Sequence, residues 1–142
     1  MRCMILIKAT QVTEAGEMPD TEMLIAMGAF NEELVNAGIM VDGEGLHPTS
    51  KGARVTFLNG ETSVANGPFP ETDRLVAGFW IWQVESLDEA IEWVKRCPSP
   101  TGSKSEIEIR PLFEMSDFGD AMTPELQDAE NRLRERVQSN QA

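Results

Sequence analysis

Residues 66–74 read Asn66-Gly67-Pro68-Phe69-Pro70-Glu71-Thr72-Asp73-Arg74, and the chain continues Leu75-Val76-Ala77-Gly78-Phe79-Trp80-Ile81-Trp82-Gln83-Val84. Two prolines and a glycine in the first part set a rigid turn. In the second part Gly78, Trp80, Trp82 and Val84 share one face of an extended chain, and Ala77, Phe79 and Ile81 share the other. A strand that is apolar on both faces belongs in the middle of a sheet. Ser86-Leu87-Asp88-Glu89 follows at once, with a serine N-cap and a glutamate three residues on. Leu87, Ala90, Ile91, Val94 and Cys97 give that helix its buried stripe, and Pro98 stops it.

The rest of the chain is read outward from this run. Met1 to Lys8 is an almost continuous apolar strand. Gln11 to Pro19 is polar and reads as a loop. A helix starts near Pro19-Asp20-Thr21 and buries Met23, Met27, Phe30, Leu34 and Ala37, with Gly38 at the position just past its end. Residues 42–52, with three glycines and Pro48, read as a loop. Arg54 to Leu58 and Thr62 to Ala65 form a hairpin across Asn59-Gly60. Ser99 to Ser105 is a Pro/Gly/Ser loop, and residues 106–112 alternate as a half-buried last strand. Glu114 to Met122 is a connector. Thr123-Pro124-Glu125 then opens a helix with a thin apolar seam of Leu126, Ala129, Leu133 and Val137.

The order β-α-ββ-β-α-β-α predicts an α+β, ferredoxin-like domain over residues 1–115, an antiparallel sheet with helices on one face. Residues 116–142 add a connector and an extra C-terminal amphipathic helix.

Composition narrows the function classes. The chain has 142 residues, enough for one domain with a core. A net charge of −12, from 24 acidic and 12 basic residues, repels phosphates, so neither nucleic acid nor an anionic membrane is expected as a partner. No apolar run approaches the roughly 20 residues of a membrane helix, and the N-terminal segment lacks a cleavage site, so a cytoplasmic location is expected. Cys3 and Cys97 read as small core residues. One histidine and no cysteine pair argue against a metal site.

Several segments together resemble the YCII-related family in its DGPF branch. They are Ala37-Gly38-Ile39, Gly43-Glu44-Gly45-Leu46-His47-Pro48, Asn66 to Thr72, Gly78-Phe79-Trp80, Ser86 to Ala90 and Glu108-Ile109-Arg110-Pro111. The resemblance implies a ferredoxin-like domain that pairs into a dimeric α/β barrel. It implies a small-molecule lyase or related enzyme in some members, and in many DGPF members an association with sigma factors of the extracytoplasmic-function kind. The wider family's proposed His–Asp pair is not reproduced: the signature Asp is Asn66, which cannot ionise, and Arg74 stands where members often carry an acid.

Within this frame six residues are candidates for a site. His47 is a general base, or a loop histidine bonded to backbone. Glu71 is the nearest acid in the signature and a second catalytic candidate. Asn66 is a turn residue, or an amide that orients a carbonyl or carboxylate ligand. Arg110 clamps an anion, or pairs with its acidic neighbours on the strand. Trp80 and Trp82 wall a ligand pocket, or fill the core. The expected function is a small-molecule-binding or regulatory module without cofactor, linked to a sigma factor. The alternative is a cofactor-independent lyase or isomerase using His47 near Asn66. The expected cavity is shared by His47, Asn66, one of Glu71 or Arg110, and one of the two tryptophans.

Overall fold

The computed structural model describes residues 1–99 and 103–142. The elements are β1 (Arg2–Lys8), α1 (Gln11–Glu14), α2 (Thr21–Asn36), β2 (Met40–Gly45), β3 (Ala53–Leu58), β4 (Glu61–Asn66), β5 (Val76–Gln83), α3 (Leu87–Lys95), β6 (Ile107–Pro111) and α4 (Pro124–Gln141). They fall into two compact units, Met1–Pro111 and Leu112–Ala142.

In the first unit a four-stranded antiparallel sheet runs in the order β2-β5-β1-β6. The apolar strand from the opening stretch, β5, is therefore central. Its register pairs Trp80 with Ile5 and Trp82 with Cys3. These four side chains lie on the helix side and are buried with Phe30 and Leu34 of α2 and Ala90 of α3. Phe30 meets Trp80 and Trp82 edge-on, at centroid distances of 5.9 and 6.4 Å. Burial of aromatic side chains this large contributes about 2–3 kcal/mol each, before any specific ring geometry. The result is an α+β domain of ferredoxin-like topology.

The caps follow the sequence signals. Asp20 accepts the Met23 N–H at 2.8 Å, and Gly38 takes φ +72° beyond the end of α2. Ser86 accepts the Glu89 N–H at 3.1 Å, while the Glu89 carboxylate reaches back to the Glu85 N–H at 2.7 Å.

The structure departs from the sequence reading in three places. The fourth strand of the sheet is β2, whose residues 42–45 fall in the segment expected to be loop. The hairpin β3–β4 forms a separate two-stranded sheet, and every residue in it is exposed. One turn of helix, α1, occupies part of the expected loop 11–19, nucleated by reciprocal Thr10 and Thr13 hydrogen bonds. Of the loop expected at 99–105, residues 100–102 lie outside the described residues.

The glycines of β2 explain the first departure. A Cβ on Gly43 would come 2.5 Å from Cδ1 of Trp80, so the edge strand passes the indole only as glycine. Low β-propensity here is the condition for close approach.

In the second unit Phe113 and Phe118 stack at 5.3 Å, and Gly119, at φ +63°, breaks a run of tight turns before α4. Thr123 caps α4 through the Leu126 N–H, and Pro124 occupies its first turn.

Candidate functional site

The signature turn is seated on a neighbouring turn at residues 49–51. The Gly67 N–H donates to the Gly52 carbonyl at 3.0 Å. The Phe69 N–H donates to the Thr49 hydroxyl at 3.0 Å. That hydroxyl in turn donates to the Glu14 carboxylate at 2.6 Å, and the Thr49 N–H donates to the other Glu14 oxygen at 3.1 Å. A Cβ on Gly67 would lie 1.6 Å from the Thr49 carbonyl oxygen, so only glycine permits the seat. The peptide between Gly67 and Pro68 is cis. Glu14 therefore ties α1 to both turns, a role that its place in an acidic loop does not signal.

Arg54 of β3 closes the outer side of this turn. Its guanidinium lies 3.8 Å above the Phe69 ring, and Nη1 lies 3.4 Å from Glu71. Both partners are about half exposed, so the pair is worth at most a fraction of a kcal/mol. Asn66 ends β4 opposite Ala53 and is exposed. His47, in the segment between β2 and the 49–51 turn, is also exposed.

A different cleft opens at the β2 edge of the sheet. It encloses about 270 Å³, and its walls include Ile7, Met27, Asn31, Met40, Glu44 and Trp80. The Trp80 Nε1–H donates to Asn31 Oδ1 at 3.0 Å. An indole N–H can only donate, so the Asn31 amide must present its oxygen to Trp80 and keep its NH₂ as donor. The floor is backbone, because Gly43, Gly45 and Gly78 line it without side chains. The volume lies just below the usual range for small-molecule pockets, so an occupant would be small.

The six sequence candidates separate as follows. Trp80 is in this cleft. Trp82 is fully buried in the core, and its Nε1 makes no hydrogen bond. His47, Asn66, Glu71 and Arg110 are not among the residues lining the cleft. Arg110 lies on β6, its side chain 69% exposed and 3.3 Å from Glu108, the pairing that its neighbours on the strand allow. Asn31 is the polar group that sequence reasoning missed. Its only signal is a polar side chain following Phe30 on α2, which helical periodicity alone does not distinguish from a solvated position.

The two cysteines are unsuited to nucleophilic work. Burial pushes the Cys97 thiol up to about 11 and raises that of Cys3, so neither supplies thiolate at neutral pH. Among the described residues no cluster of three His, Cys, Asp or Glu side chains could hold a metal ion. No helix among them is long and apolar enough to cross a membrane.

Fold and cleft define a ferredoxin-like α+β domain with a small edge-strand cavity. The YCII-related domain model matches residues 1–116, and the chain belongs to that family. The chain is also similar to an uncharacterized protein of Rhizobium meliloti (strain 1021). The two are 32% identical over 102 residues, which span 71% of this chain and 82% of the relative.

Proposed function

We propose that this chain is a small-molecule-binding module of the DGPF branch, working as a homodimer, with its ligand in the cleft between Trp80 and β2. The observation that carries the reading is the Trp80–Asn31 hydrogen bond, which fixes the Asn31 amide and leaves its NH₂ as a donor in a cleft walled by Ile7, Met27 and Met40 over a backbone floor. The net charge of −12 disfavours an anionic occupant. The chemistry fits a small, flat, neutral or cationic molecule carrying one carbonyl-type acceptor for Asn31.

A lyase or isomerase using His47 with Asn66 is less well supported. Both side chains are exposed, and neither contributes to the cleft. A sigma-factor partner remains the macromolecular side of the regulatory reading.

The dimer reading rests on the sheet face away from the helices. The register aligns Asp42, Ile81, Met4 and Arg110 across the four strands, and beside them Glu44, Phe79, Leu6 and Glu108. The centre is apolar and the β2 edge acidic, and Arg110 lies at the β6 edge. Two copies placed face to face about a two-fold axis parallel to the strands bring the β2 edge of one beside the β6 edge of the other. Asp42 then meets the partner's Arg110.

The test is a thermal-shift screen of small neutral amides and amines against the wild-type chain and the Gly43→Ala and His47→Ala variants. A compound that stabilises the wild-type and His47→Ala chains but not Gly43→Ala supports the cleft. A compound whose effect is lost only in His47→Ala moves the site to the signature turn.

A further inference from the structure

Among the described residues, α4 carries a half-exposed apolar seam. Leu126, Leu133 and Val137 are 53%, 52% and 54% exposed, and with Ala129 they form one stripe at helical spacing. A helix of 18 residues is marginal in water by itself, so a stripe of this kind calls for a partner. The charges beside it say which. At 100° per residue, Glu125 and Arg136 flank the seam on one side, and Glu130 and Arg134 flank it on the other. Beside the seam the acids Glu125 and Glu130 come early in the helix and the bases Arg134 and Arg136 come late, while Glu135 falls on the face opposite the seam.

We infer that α4 pairs with α4 of a second copy of this chain in antiparallel orientation. Antiparallel alignment sets Leu126 against the partner's Val137 and Ala129 against the partner's Leu133, large against small in the middle. The same register brings Glu125 beside the partner's Arg136 and Glu130 beside the partner's Arg134. Within one helix Glu130 already holds Arg134 at 3.1 Å, so the pairing joins two such bridges into one network. A parallel pair is disfavoured by the same residues, because it sets Glu125 against the partner's Glu130. The inference is independent of the cleft and of the sheet-face dimer, since it rests on α4 alone.

The experiment uses the full chain. Leu126→Cys and Val137→Cys variants are oxidised briefly at pH 8, separately and mixed, with the wild-type chain alongside as the control for Cys3 and Cys97. Antiparallel pairing gives a 126–137 disulfide in the mixture and little cross-link in either variant alone. Adding Arg134→Glu and Arg136→Glu to both chains should lower the yield roughly tenfold at low salt. Adding Glu125→Arg and Glu130→Arg to those same chains should restore it. Cross-links dominated by 126–126 or 137–137 pairs, no cross-link at all, or a yield indifferent to the charge reversal would each overturn the inference. A seam covered by the chain's own domain gives the second of these results.

Discussion

At the scale of single residues, two positions carry the argument because each has one structural solution. Gly67 packs its Cα against the Thr49 carbonyl, and backbone cannot move aside as a flexible side chain can. Gly67→Ala is therefore expected to lower unfolding stability by about 3 kcal/mol or to displace the signature turn from Glu14 and Thr49. Urea denaturation measures the first outcome, and loss of protection at the Phe69 amide measures the second. Asn31 is the other position. Asn31→Leu keeps the branched shape but orphans the Trp80 Nε1–H, which costs about 1–3 kcal/mol by the same measurement. It should also abolish any binding that depends on the amide donor. Trp80 was legible as a candidate because its strand is so strongly patterned. Asn31 was not, because its importance comes from a partner 49 residues away that only the folded register brings near.

Among elements, legibility followed local signal strength. The capped helices α2 and α3, the central β5 and the Asn59-Gly60 hairpin all announce themselves through caps, periodicity and turn residues. At the hairpin, Asn59 and Gly60 both adopt positive φ, as a tight two-residue turn requires. The strand β2 does not announce itself. Its sequence Met40-Val41-Asp42-Gly43-Glu44-Gly45 has the composition of a loop, and it becomes a strand because β5 offers it a ladder and Trp80 demands glycine beside it. The hairpin β3–β4 misleads in the opposite direction. It reads as part of the main sheet, yet it stands apart with Val55 and Phe57 51% and 78% exposed. A lone two-stranded ribbon is marginally stable. Hydrogen exchange should accordingly release the β3–β4 amides well before those of β1 and β5, whose residues Ile5 and Trp82 are buried completely. Equal protection across both sheets would show that another surface covers the hairpin.

For the whole molecule, the fold class could be read from element order, but the meeting of Trp80 with Asn31 could not. Loops near the signature turn looked like the natural home of chemistry, since His47 and Asn66 carry the polar groups. The folded chain also holds Trp80 and Asn31 together at a glycine-lined sheet edge on the helix side. On the opposite face, Phe79 and Ile81 remain half-buried beside Met4 and Leu6. If two copies meet there, Phe79→Asp places a charge at the centre of the contact. In a chain that also carries Arg134→Glu and Arg136→Glu, so that α4 pairing does not hold the copies together, light scattering should then report a twofold drop in mass, with the circular dichroism spectrum unchanged. An unchanged mass would remove the face-to-face dimer and leave the cleft untouched.

NMR titration of the ¹⁵N-labelled chain with small amides and amines probes the proposed ligand site between Trp80 and β2. A compound bound there should shift the Trp80 indole N–H, the Asn31 side-chain amide and the backbone amides of Gly43, Gly45 and Gly78 together. The Asn31→Leu chain should lose those shifts. Shifts confined to His47, Asn66 and Glu71, with the Trp80 indole unmoved, would contradict that placement.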